Sequence, residues 1–170
     1  SLGHEIGYHY EDLTLCRGDY DKAIKKFKLN INRLREYYPV TTICMHGSPL
    51  SPWDNKNLWN QYNYKDFGVE ADTSLDVDYN STFYITDNGF GWNKKNTSVR
   101  DKVDSKFNIP IKSTSHFISL IQNKEMPDKI MLNAHPDTFF DPGIGWVANY
   151  SLIKLKNIAK WVIVKSKVFN

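Results

Sequence analysis

The sequence predicts an α/β fold with a largely parallel sheet, and two features of its patterning carry that prediction. Short β-branched or apolar runs, such as "VTTICM" at 40–45, alternate with longer stretches whose apolar residues recur at helical spacing. The resulting order is βαβα, with connections long enough to cross from one parallel strand to the next. Crossovers of this length suit an open doubly wound sheet or a barrel.

Each element has a local reason. "HEIGYHY" at 4–10 alternates and carries Ile6 and Tyr8, which predicts a short strand. Residues 19–37 read as a helix: Asp19 or Asp21 can cap it, and Ala23, Ile24, Phe27, Ile31 and Leu34 fall on one face before Pro39 stops it. "VTTICM" is a buried strand ending at His46-Gly47. Residues 48–73 form a polar and aromatic connection with a short helix from about Asn55 to Tyr62. "STFYIT" at 81–86 is the next strand, ending at Asp87-Asn88-Gly89. Ser113 or Thr114 caps a helix with Phe117, Ile118, Leu120 and Ile121 on its apolar side. "DKIMLNA" at 128–134 is the last strand, ending at His135-Pro136. A closing helix from Val147 to Lys165 carries Leu152, Leu155, Ile158, Ala159 and Val162 along one face.

Bulk properties narrow the function classes. At 170 residues the chain fits one domain with a sizeable core, and no linker or repeat divides it. Its 22 basic and 19 acidic residues are scattered without a basic block, which argues against a nucleic-acid partner. No apolar run is long enough to span a bilayer, so membrane insertion is not expected. Cys16 and Cys44 form no CxxC pair, and Cys44 reads as a buried free thiol.

Chemistry collects at the strand ends. His9, His46, Asp87 and His135 each close a predicted strand, and parallel α/β folds build their sites at the carboxyl ends of strands. One such histidine alone reads as a hydrogen-bonded structural residue, and Asp87-Asn88-Gly89 alone as a turn. Four at corresponding positions read as a site. Imidazoles with a carboxylate suit zinc or another divalent transition metal, which supports hydrolysis of an amide or ester. Trp53, Tyr64 and Trp92 are candidate platforms for the apolar faces of sugar rings, whereas Trp59 and Tyr62, on the short helix, read as cover for a core edge. His4 precedes its strand and His116 lies in a helix's first turn, so both read as surface or packing residues.

"GHEIGYHYEDL", "ICMHGSPLSPWDN", "YITDNGFGW" and "IMLNAHP", in that order, resemble a less studied bacterial branch of the polysaccharide deacetylase (NodB-homology) superfamily. The resemblance runs from residue 3 to about 160. It implies a partial or distorted (β/α) barrel with largely parallel strands, and removal of acetyl groups from a carbohydrate with a divalent metal, zinc foremost. His9 then corresponds to the first histidine of the family's metal pair, while the second falls on Leu13. His46 lies where an arginine is usual and reads as a replacement ligand, with Glu11 a further ligand or base, or a solvated loop acid beside Asp12. Asp87, with Trp92, occupies the region of the fourth motif. His135 matches the histidine that acts as general acid toward the leaving amine.

The family's first motif supplies two aspartates on a strand before "GHEIG", and no counterpart is present in residues 1–170. The expectation is a single domain shortened at its N-terminus, with an open sheet edge that a second copy of the chain would cover. The competing expectation is a catalytically impaired carbohydrate-binding module with the same fold.

Overall fold

A computed structural model describes residues 2–48, 51–87, 91–92, 103, 105–135 and 143–168. The chain divides into two compact units, residues 1–77 and 78–170. The turn residues Asn88, Gly89 and Pro136 lie outside the described residues.

In the first unit β1 (Tyr8–Tyr10) leads through α1 (Asp12–Leu15) and α2 (Tyr20–Arg35) to β2 (Thr42–Met45). Two 3-10 helices, Asn55–Asn60 and Tyr64–Phe67, then precede β3 (Ala71–Asp72). The three strands form one parallel sheet in the order β1-β2-β3. α2 begins where its cap predicts: the Asp19 carboxylate accepts the Lys22 backbone N–H at 3.0 Å. At its far end Arg35 donates to the carbonyls of Val40, Phe67 and Gly68 at 2.9, 2.7 and 2.8 Å. One guanidinium thus fastens the helix end to two loops.

The core of this unit forms around Phe27, which is fully buried. Its ring meets Tyr10, Trp59 and Phe67 edge-on at centroid distances of 6.0, 4.9 and 5.8 Å. Ala23 and Ile31 from the same face of α2 are buried with it, against Tyr10, Leu13, Ile43 and Leu58. The short strand β1 alternates as a pleat requires: Tyr8 and Tyr10 turn toward this core and His9 toward solvent.

Two carboxylates, Asp12 of α1 and Asp72 of β3, are fully buried with donors supplied for each. Asp12 accepts from the Tyr8 hydroxyl at 2.8 Å and from Asn30 at 3.0 Å. Asp72 accepts from the Tyr10 hydroxyl at 2.6 Å, from the Trp59 indole at 3.1 Å and from the Ser74 backbone N–H at 2.8 Å. Burial pushes both carboxyls above their ordinary range, an increase that these hydrogen bonds partly offset.

In the second unit β4 (Phe83–Thr86) and β5 (Ile130–Asn133) form a two-stranded parallel sheet joined through α3 (Thr114–Gln122). β4 is buried along its whole length, and Phe83, Ile85 and Phe117 form its core with Trp92, Phe107 and Ile109 around them. Ser113 caps α3, accepting the His116 backbone N–H at 3.1 Å. Of the predicted apolar side of α3 only Phe117 is buried; Ile118 and Ile121 are half exposed.

The closing helix α4 runs from Ile144 to Val168, and Leu152, Leu155, Ile158 and Val162 on its predicted inner face are exposed. A helix of 25 residues is about 37 Å long, whereas strands of four residues reach about 13 Å. A sheet that small cannot cover such a face.

The α/β class predicted from the sequence is therefore present as two small parallel sheets, and no closed barrel occurs among the described residues. No described helix is long and apolar enough to cross a membrane. Both cysteines are free and partly exposed rather than fully buried.

The buried tyrosines set an alkaline limit on stability. Burial first, and the Asp72 carboxylate second, push the Tyr10 hydroxyl far above its ordinary 10.0, and burial with Asp12 does the same to Tyr8. Above about pH 10 the unfolded chain releases these protons while the folded chain keeps them, so stability falls as pH rises, by up to about 1.4 kcal/mol per pH unit and tyrosine. Tyr10→Phe should lower stability at neutral pH by about 1–3 kcal/mol, because Asp72 loses a buried donor. Its urea midpoint should then decline less steeply than the wild type's between about pH 10 and 11. Equal slopes would show that Tyr10 ionises normally.

Candidate functional site

Parallel pairing in the first unit brings two strand ends into one register. Tyr10 pairs with Met45, and the His46 backbone N–H donates to the Tyr10 carbonyl at 2.8 Å, which carries the ladder one step past the strands. Glu11 and His46 are the next residues on each side. The Glu11 Oε2 lies 2.6 Å from His46 Nδ1, and Ser48 Oγ lies 3.4 Å from the same carboxylate oxygen. The side chains of Glu11 and His46 are 35% and 48% exposed, so the pair contributes at most about 1 kcal/mol to stability. Its effect is on ring orientation.

His9 is held in the same way by the backbone. Its Nδ1 lies 3.1 Å from the Cys44 carbonyl, the residue paired with it across the sheet. A carbonyl only accepts, so Nδ1 carries the proton and Nε2 of the neutral ring carries the lone pair. An ionised carboxylate imposes the same tautomer on His46. The two rings stand edge to face with centroids 5.1 Å apart.

The loop after His46 is fixed by residues that sequence patterning did not single out. Asn55 is buried, donates to the His46 carbonyl at 2.8 Å and accepts the Thr14 backbone N–H at 2.9 Å. It thereby ties the end of β2 to α1. Thr14 donates through its hydroxyl to Ser51 at 3.1 Å, and Ser51 Oγ accepts the Trp53 backbone N–H at 3.1 Å. Gly18, with φ of +81°, lies against the Trp53 indole: a Cβ there would stand 2.1 Å from the indole nitrogen. Trp53 keeps 36% of its surface exposed.

In the second unit Asp87 and His135 follow β4 and β5. The Asp87 backbone N–H donates to the Asn133 carbonyl at 3.2 Å. The Asp87 carboxylate, itself buried, then takes two donors from one residue. Oδ2 accepts the His135 backbone N–H at 2.9 Å, and Oδ1 lies 2.5 Å from His135 Nδ1. This bidentate contact fixes both the main chain and the ring of His135, whose side chain is 45% exposed.

The remaining predicted residues occupy packing positions. Tyr64 donates its hydroxyl to both oxygens of Asp76 at 2.8 and 2.9 Å, and its ring meets Trp59 edge-on at 5.6 Å. The Trp92 indole donates to Thr114 Oγ1 at 3.3 Å, and its ring lies 5.7 Å from Phe117. Trp59 covers the core and Tyr62 bonds Asp21, in keeping with the structural roles expected of them. His9, expected to close its strand, is the middle residue of β1, and His116 is held in the opposite sense to His9, His46 and His135: its Nδ1 accepts the Lys112 backbone N–H at 3.2 Å. His4 is exposed.

No protein-family model, curated protein or solved structure matches this chain. The site must therefore be read from its chemistry. Among the described residues no three His, Cys, Asp or Glu side chains form a group arranged to hold a metal ion. What the two units present instead is a pair of carboxylate–imidazole contacts, Glu11–His46 and Asp87–His135, each bridging adjacent parallel strands through Nδ1. Ser48 sits on the Nδ1 side of His46, 3.5 Å from that nitrogen, so it is not aligned as a nucleophile activated through Nε2.

Removing Asn55 should show how the first of these contacts is supported. Asn55→Ala leaves the part-buried Thr14 backbone N–H and His46 carbonyl without their Asn55 partner and should cost about 1–3 kcal/mol in urea unfolding. It should also broaden the His46 ring resonances in NMR spectra. An unchanged midpoint with unchanged His46 resonances would show that the loop holds without it.

Proposed function

We propose that this chain is a metal-dependent hydrolase of the polysaccharide deacetylase kind, built on a partial or distorted (β/α) barrel, that removes acetyl groups from a carbohydrate. The observation that carries the reading is the bidentate grip of Asp87 on His135 at the ends of adjacent parallel strands. The ordered motifs around His9, His46, Asp87 and His135 add to it.

Cleavage of an acetamide requires a proton on the departing nitrogen, because an amide anion is too poor a leaving group. His135 is suited to supply it. Asp87 holds Nδ1–H, which directs proton exchange to Nε2 and stabilises the imidazolium while the ring carries both protons. The second Asp87 oxygen, on the His135 backbone, keeps the ring from swinging as its charge changes. Asp87 thus acts on substrate through His135 and is a positioning residue in this reading.

His9 and His46, two imidazoles whose Nδ1 atoms are already engaged, would be the donors offered to such a metal, with no third His, Cys, Asp or Glu grouped with them among the described residues. A divalent ion such as zinc, where bound, would supply Lewis-acid chemistry. The half-exposed indole of Trp53, seated on Gly18, offers a rigid apolar face to a sugar ring.

Acetate release from N-acetylglucosamine oligomers, measured with zinc supplied, tests the reading. His135→Ala should lower kcat by about 10²–10⁴-fold, and Asp87→Asn by less, with the loss in kcat rather than KM. Full activity in His135→Ala, or no acetate release by the wild type with zinc or other divalent ions, would overturn it.

A further inference from the structure

We infer that α4 is a docking surface for an anionic lipid bilayer, on which it lies without crossing. None of its residues belongs to the site described above.

The helix carries a continuous apolar face. Ile144, Val147, Ser151, Leu155, Ile158 and Val162 follow one another at steps of three or four residues, so they share one side. The five apolar members are each more than half exposed, and Leu152, beside them, is half exposed. Together they cover about 140° of the helix circumference over a length of about 27 Å. Ser151, the polar member, donates its hydroxyl to the Val147 carbonyl at 2.8 Å. Burial of this face in an apolar medium therefore leaves no unpaired donor at Ser151. On the other side of the helix Asn149, Tyr150 and Ile153 are partly buried.

Charge identifies the occupant. α4 contains Lys154, Lys156, Lys160, Lys165 and Lys167 and no Asp or Glu. Residues 78–143 of the same unit hold eight basic and eight acidic residues, so the unit's whole positive excess lies on this helix. Lys154 and Lys156 are exposed and leave the helix on opposite borders of the apolar face. The Lys154 ammonium stands 5.2 Å from the centre of the Tyr150 ring, and that ring stacks on Trp146 at 5.1 Å. An aliphatic face bordered by lysines, with aromatic rings at one edge, fits the headgroup level of a bilayer. There the aliphatic side chains enter the acyl boundary and the lysines reach phosphate. A second copy does not fit. Two α4 helices face to face would set lysine against lysine, with no carboxylate on either helix to pair with them. The face is also wider than the narrow seam that one partner helix covers.

Vesicle flotation of the full chain tests this. One set of vesicles mixes phosphatidylglycerol with phosphatidylcholine, and the other is phosphatidylcholine alone. Wild type should float with the anionic vesicles and bind them at least about tenfold more tightly than the neutral ones, and added salt should weaken the binding. Lys154→Gln combined with Lys156→Gln should weaken it about 25-fold, about fivefold for each lysine. Leu155→Asp combined with Ile158→Asp should abolish flotation. Leu155→Ser, which removes exposed apolar surface without adding charge, should weaken binding about tenfold and leave the urea midpoint unchanged.

Absence of flotation with the anionic vesicles would overturn the inference, as would equal binding to both sets. Flotation that survives Leu155→Asp with Ile158→Asp would place the contact elsewhere on the chain. A dimer in light scattering that the same double variant makes monomeric would assign the face to a second copy, and the bilayer reading would fall.

Discussion

On a parallel sheet, an imidazole within a strand or just past its end can give one nitrogen to the neighbouring strand and keep the other for chemistry, and His9, His46 and His135 do so. His9 gives Nδ1 to the Cys44 carbonyl, His46 gives it to Glu11, and His135 gives it to Asp87. Parallel pairing makes the arrangement possible, because adjacent strands end on the same side and their next residues meet. In each sheet the carboxylate follows the earlier strand and the histidine follows the later one. The consequence is a fixed tautomer at each ring, and every function assigned to these residues depends on it. His116, which accepts at Nδ1 within its own helix cap, shows that the pattern belongs to the paired strands and the residues just past them and not to histidine generally.

What keeps the first pair of strand ends in place is the tyrosine side of β1. Tyr8 and Tyr10 flank His9, and their hydroxyls are bound to the buried carboxylates Asp12 and Asp72. A three-residue strand has little ladder of its own, so these two side-chain bonds, the second of them across 62 residues, and the packing of Phe27 fix its twist and position. Burying two carboxylates is costly, and each is therefore given at least two donors. Core and site are thus opposite faces of the same three residues, and a change that loosens the tyrosine network should be felt at His9.

Local signals made most of the elements legible. The β-branched run before His46, the Asp19 and Ser113 caps and the apolar spacing of α2 each correspond to an observed element. The positions of His46, Asp87 and His135 just past their strands followed from them, whereas His9, expected to close its strand, is the middle residue of β1. Residues joined across long sequence separations were not legible: Asn55 meets Thr14 from 41 residues away, and Tyr10 meets Asp72 from 62. No periodicity marks such partners. β3, with two residues, is defined only by its pairing with β2, and α1, with four, is too short to show a helical pattern. The packing partners of the aromatic candidates were likewise not legible: Tyr64 and Trp92 spend their polar atoms on Asp76 and Thr114 and set their rings against Trp59 and Phe117.

The tautomer of each histidine can be observed directly. Long-range ¹H–¹⁵N correlation NMR of the uniformly labelled chain, followed to a pH at which the rings are neutral, distinguishes a protonated Nδ1 from a protonated Nε2. The account predicts the Nδ1–H form at His9, His46 and His135 and the Nε2–H form at His116. Nε2–H, or rapid averaging between the two forms, at His9, His46 and His135 would contradict it.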